Sequence, residues 1–98
     1  MRVEIINKNH CIIYSASTDV VIRTPEGRER KTVRFARLLQ SYTSIICGVD
    51  KAGRIWLDRR AWDYSSTTGR HRNAFLGEDI NETRKKITNG TYRLCDMH

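Results

Sequence analysis

Three polar turn clusters and one change of hydrophobic period divide this chain into segments that admit few arrangements. Up to Asp58 apolar residues tend to alternate with polar ones, the repeat that sends successive side chains to opposite faces of a sheet. After Trp62 the spacing moves towards about 3.6 residues, the repeat of a helix. Strands followed by helices predict an α+β domain rather than alternating units around a parallel sheet.

The turns set the hairpins. Asn7-Lys8-Asn9-His10 separates apolar stretches at 2–6 and 11–15. Thr24-Pro25-Glu26-Gly27 has proline second and glycine fourth, the type I preference, and joins candidate strands at 19–24 and 31–35. In the latter, Lys31, Val33 and Phe35 share one face, and Thr32 and Arg34 the other. Asp50-Lys51-Ala52-Gly53, with glycine in the left-handed position, returns Ile45, Cys47 and Val49 onto Arg54–Asp58. Ile55 and Leu57 then face one way and Trp56 the other.

Ser65-Ser66-Thr67-Thr68 offers hydroxyl caps for a helix running to about Leu76, closed by Gly77. Asp79-Ile80-Asn81-Glu82 has the spacing of a capping box, in which Asp79 accepts from the Glu82 amide and Glu82 reaches back. The second helix starts near Ile80, carries Arg84, Lys85 and Lys86 where cations suit the dipole, and stops at Asn89-Gly90. Residues 91–95 read as a last short strand. The expected architecture is an antiparallel sheet of five to seven short strands packed against two C-terminal helices.

Ninety-eight residues form a single domain, residues 1–98, with no room for a second core. The apolar runs are too short to cross a bilayer, and Met1-Arg2-Val3-Glu4 leads directly into the strand pattern with no secretion signal, so an intracellular protein is expected. Cys11, Cys47 and Cys95 are an odd, widely spaced set, read as reduced core residues. Eighteen Lys and Arg against eleven Asp and Glu give a net charge of +7. Such an excess favours anionic partners, and arginine, the more abundant of the two cations here, grips phosphate or a guanine edge through paired donors.

The segment Trp62-Asp63-Tyr64-Ser65-Ser66-Thr67-Thr68-Gly69-Arg70-His71-Arg72-Asn73-Ala74-Phe75-Leu76-Gly77 carries the most information. It resembles a family of small, uncharacterised tailed-bacteriophage proteins with a Tyr-Ser-x-Thr-Thr-x-x-His-x-x-x-Phe-Leu pattern. Ser41-Tyr42-Thr43-Ser44, expected as a strand, and Gly53 correspond to that family's upstream elements. The resemblance spans about residues 41–90 and departs in the N-terminal third. It brings no established activity; it implies a viral or mobile-element origin and a place in the host bacterial cytoplasm.

Within the motif, Thr67, Thr68, His71 and Phe75 are expected to be structural. His71 and Phe75 lie one turn apart on a face that packs on the hairpin, with His71 bonded to a hydroxyl such as Thr67. Arg70, Arg72 and Asn73 are expected on the outer face, joining Arg54, Arg59 and Arg60 in a surface that tracks a nucleic-acid backbone. Trp56, Trp62 and Tyr64 read as core, with stacking on single-stranded bases as the competing role.

No phosphate loop, His-Glu-x-x-His pattern or serine elbow is present, so an enzyme is not expected. His10-Cys11 and Cys95-x-x-His98 lack a recognised finger spacing, and neither a metal nor another cofactor is anticipated. The expectation is a small phage-type accessory protein that binds DNA or RNA, with no membrane or small-molecule partner. The alternative is an anti-defence (anti-CRISPR-type) or host-takeover inhibitor that binds a nucleic-acid-handling host protein complex.

Overall fold

A computed structural model describes residues 2–97. The first turn cluster joins β1 (Arg2–Asn7) to β2 (His10–Thr24), and Pro25 and Glu26 form the two-residue loop into β3 (Gly27–Ser41). β4 (Ser44–Asp50) and β5 (Ile55–Asp58) complete the third hairpin, where Gly53 has a φ of 87°. Then come α1 (Ser66–Leu76), α2 (Ile80–Thr88) and β6 (Arg93–Cys95). The fold is α+β, with six strands in the order β1-β2-β3-β4-β5-β6.

Two strands are far longer than their alternation implies. The stretches at 11–15 and 19–24 belong to one strand of 15 residues, because the small residues Ala16, Ser17 and Thr18 are paired with Phe35, Arg34 and Val33. Pairing skips from Tyr14↔Arg37 to Ala16↔Phe35, and Ser15 there has a φ of 55°. The β3–β4 register shifts at the same place, between Phe35 and Arg37, so the long strands are interrupted together. Residues 42–43, expected in a strand, are instead the turn between β3 and β4.

The sheet is mixed rather than wholly antiparallel. β6 pairs parallel with β5, since both helices intervene and supply the crossover that a parallel pair needs. Just beyond β6, the amides of Val21 and Asp96 each donate to the other's carbonyl at 2.8 Å. That bridge joins the last strand's exit to β2 and curls the sheet on itself.

Curling buries both faces, which explains the apolar doublets. Leu38 and Trp56 enter one core with Val20, Val33, Phe35, Cys95 and Met97, and Ile13 and Ile45 pack on it. Their sequence neighbours Leu39, Leu57, Ile12 and Ile46 belong to a second core with Cys47 and Tyr92, against Phe75, Leu76 and Ile87 of the helices. Cys47 and Cys95 are buried and free, and burial, the chief influence on each, raises the Cys47 thiol and pushes Cys95 up to about 12. Cys11 is only partly buried.

The caps follow the sequence, with one exception. Ser65 Oγ accepts from the Thr68 amide at 3.2 Å, Gly77 closes α1 with a φ of 71°, and Asp79 accepts from the Glu82 amide at 2.9 Å. The Glu82 side chain does not complete the box; it accepts from Lys85 Nζ at 3.4 Å. No helix among the described residues is long and apolar enough to cross a membrane.

Gly48 is where the sheet admits no side chain. A Cβ there would lie 2.6 Å from Leu38 Cδ2 and 2.7 Å from Phe35 Cδ1. Overpacking of this kind costs about 1–3 kcal/mol. Gly48→Ala is expected to lower the melting midpoint by about 4–20 °C for a domain of this size, measured by thermal circular dichroism; an unchanged midpoint contradicts the close approach.

Candidate functional site

The β3–β4 turn and the start of α1, distant in sequence, meet through hydroxyls and imidazoles. Ser41 Oγ lies 2.8 Å from His71 Nδ1 and 3.4 Å from Thr68 Oγ1. The His10 ring stacks on His71 with centroids 4.0 Å apart. The hydroxyl partner of His71 is thus Ser41 on the sheet, not Thr67 on its own helix, because the His71 face packs against the β3 end. Burial lowers both histidines below their ordinary value, with the facing His71 adding to the effect on His10 and Arg70 adding to that on His71. Ser41 is 2% exposed, so its hydroxyl braces strand against helix. Phe75 is partly buried against the second core, with the Arg37 guanidinium 5.0 Å from its ring centroid.

The six residues expected to form one cationic surface are dispersed. Arg72 is buried, 1% exposed: Nη1 donates to the Trp62 carbonyl at 2.6 Å and to Asp63 Oδ1 at 3.3 Å, and Nη2 to Asn73 Oδ1 at 3.0 Å. It ties α1 to the preceding turn, and Asn73 is its acceptor rather than a base reader. Helical spacing alone puts Arg72 on the outer face, but the turn at 59–64 covers this side of α1. Arg54 is half exposed, but its Nε donates to Asp50 Oδ2 at 2.9 Å. Burial pushes the Asp50 carboxyl up, yet hydrogen bonds from Trp56 and Arg54 outweigh it and hold the group below the usual range. Arg59 Nε lies 4.0 Å from Asp96. Arg60 and Arg70 are exposed.

A different set of arginines converges. Arg23 pairs directly opposite Arg28 across the β2–β3 hairpin, and Arg30 is two residues farther along the same face. With Arg60, Val21, Asp58 and Asp96 they line a cleft of about 260 Å³. Arg23 donates to Asp96 at 3.3 Å, whereas Asp58 accepts from the amides of Arg60, Ala61 and Met97. Sequence reasoning missed Arg23, Arg28 and Arg30, although the two-residue loop at Pro25-Glu26 fixes the register that makes Arg23 face Arg28.

Arg60 also borders a second cleft, of about 730 Å³, lined by Ser41 to Ser44 and by Tyr64, Ser65, Thr67 and Thr68 of the motif segments. Tyr64, read as core, is 79% exposed at its rim, and Tyr42 is 51% exposed. Trp56 is fully buried and Trp62 partly buried, as core residues. Among the described residues no three His, Cys, Asp or Glu side chains converge as a metal site, and His98 lies outside those residues.

Arg72→Ala removes the buried side chain that ties the Trp62 carbonyl and Asn73 to α1 and is expected to cost about 1–3 kcal/mol; Arg70→Ala should stay within about 0.5 kcal/mol, both read from denaturant unfolding. Because both histidines are depressed on folding, the unfolded chain takes up protons first as pH falls. Stability is complete above about pH 6.5 and declines below it. The melting midpoint should fall from about pH 7.5 to about pH 5, and fall less in His10→Phe; a flat profile refutes this.

No curated protein and no solved structure matches the chain. The model of a family of unknown function, DUF8033, matches residues 1–90, and the chain belongs to that family.

Proposed function

We propose that this protein binds nucleic acid through the arginine cleft of the β2–β3 hairpin, using Arg23, Arg28, Arg30 and Arg60. The observation that carries the reading is the direct cross-strand pair Arg23↔Arg28. Like charges facing each other on a sheet are unfavourable. Arg30 and Arg60 add to that repulsion, and of the two lining carboxylates Asp58 is engaged by backbone amides. Asp96 answers part of this charge through Arg23, and a polyanion supplies more, since guanidinium groups bind phosphate through paired donors. The tailed-phage resemblance is carried into this reading, making the protein an accessory factor that meets phage or host nucleic acid in the bacterial cytoplasm.

The expected behaviour is salt-dependent, sequence-tolerant binding. Four phosphate contacts give a log-log salt slope of about −3 to −4 on duplex DNA. Arg28→Ala should reduce that slope by about one on any probe sequence, and Arg54→Ala should change it less because Arg54 is paired with Asp50. Fluorescence anisotropy with duplex DNA, single-stranded DNA and RNA measures both. Affinity no tighter than millimolar on all three ends this reading and shifts attention to a host protein complex. The surface then in question is β1, an edge strand that exposes Val3, Ile5 and Ile6.

A further inference from the structure

The larger cleft has features that phosphate binding does not use. Tyr42 and Tyr64 leave most or half of their surface in water, and neither hydroxyl has a hydrogen bond among the described residues. Tyr42 is also in an unfavourable place. It occupies the first position of a two-residue turn with a φ of 56°, where glycine or asparagine is the ordinary choice. The turn is secured from both sides: the Tyr42 amide donates to the Asn9 carbonyl at 2.7 Å, and the Tyr42 carbonyl accepts from Gln40 Nε2 at 3.0 Å. An aromatic ring is thus held at the rim of a cavity by backbone that would be more relaxed without it.

We propose that this cleft takes one unpaired base of a single-stranded nucleic acid, stacked on Tyr42 and Tyr64, with Arg60 on the adjoining phosphate. The inference rests on the nucleic-acid reading above and names its substrate class. About 730 Å³ falls in the range of small-ligand sites, ample for a nucleotide. Beside the apolar Ile46 and Ala61, the walls carry hydroxyls of Thr43, Ser44, Ser65 and Thr67, a group that both donates and accepts as a base edge or sugar requires. Arg60 borders both clefts, so phosphates that follow the arginines lead to the tyrosines. In a duplex the base faces are already stacked, and only an unpaired base offers one.

The test uses the full chain, with a labelled oligothymidine and a hairpin duplex of the same length as probes. Tyr42→Gly and Tyr64→Ala should each weaken binding of the single strand by about 5- to 150-fold and leave the duplex within about twofold. Tyr42→Gly should melt at or above the wild-type temperature, since glycine suits the left-handed turn. That separates lost contact from lost fold; should it melt lower, Tyr64→Ala decides alone. If both variants bind the single strand as wild type does while Arg28→Ala weakens it, the base site is wrong and the arginine reading stands. If the wild type binds neither probe, both are wrong.

Discussion

The buried carboxylate of Asp58 is the interaction on which the rest of this structure depends. One oxygen accepts from the amides of Arg60 and Ala61, which turns the chain out of β5 towards α1. The other accepts from the amide of Met97, which holds the last described residue beside the end of β5. A carboxylate 1% exposed persists only when its lone pairs are met, and three backbone amides are among the donors that meet them. With that segment fixed, Asp96 reaches Val21 and the sheet closes on one side. Closure gives the inner face a core of its own and leaves the outer face for the helices. It also sets Arg60, from the turn, opposite Arg23 and Arg28, from the hairpin.

Much of this was legible in the sequence, and what was not shares a cause. Turns, caps and the change of period are local, so the hairpins at 24–27 and 50–53, the caps at Ser65 and Asp79 and both helices were readable from a few neighbouring residues. The length of β2 and β3 was not, because Ala16, Ser17 and Thr18 have no apolar alternation of their own and are strand only by pairing with β3. The parallel β5–β6 pair was also hidden, since it depends on where two helices return the chain. Arg72 shows the same limit in the site. Its position on α1 was correct, but what covers that side of the helix comes from Trp62 and Asp63.

Charge illustrates how register turns composition into a surface. Arg54 is answered by Asp50 within its own turn and Arg72 by Asp63 and two amide-type oxygens, so neither contributes a free cation. Arg23 is answered in turn by Asp96, but a two-residue loop also aligns it with Arg28 and Arg30 on one face. An excess of arginine in a sequence therefore says little until the hairpin register is counted, and a shift of one residue would have turned Arg28 and Arg30 to the other face of the strand.

Local rules of sequence and structure agree through most of the chain and break in two places. One is the facing pair Arg23 and Arg28; the other is Tyr42 in a turn that suits glycine. The other non-glycine left-handed residue among those described, Ser15, is explained by the interruption of the long strands, where Ala36 drops out of the pairing as well. Arg23 has Asp96 as its partner, but no comparable structural need accounts for Tyr42 or for Arg28 opposite Arg23, because a smaller or uncharged residue would satisfy the same backbone with less conflict. Departures from local consistency that packing does not require are the ones expected at sites of function. These two lie in or beside clefts that share Arg60, a residue whose backbone is anchored by Asp58 while its side chain remains exposed. The carboxylate that closes the fold is thereby also the group that positions the arginine common to both.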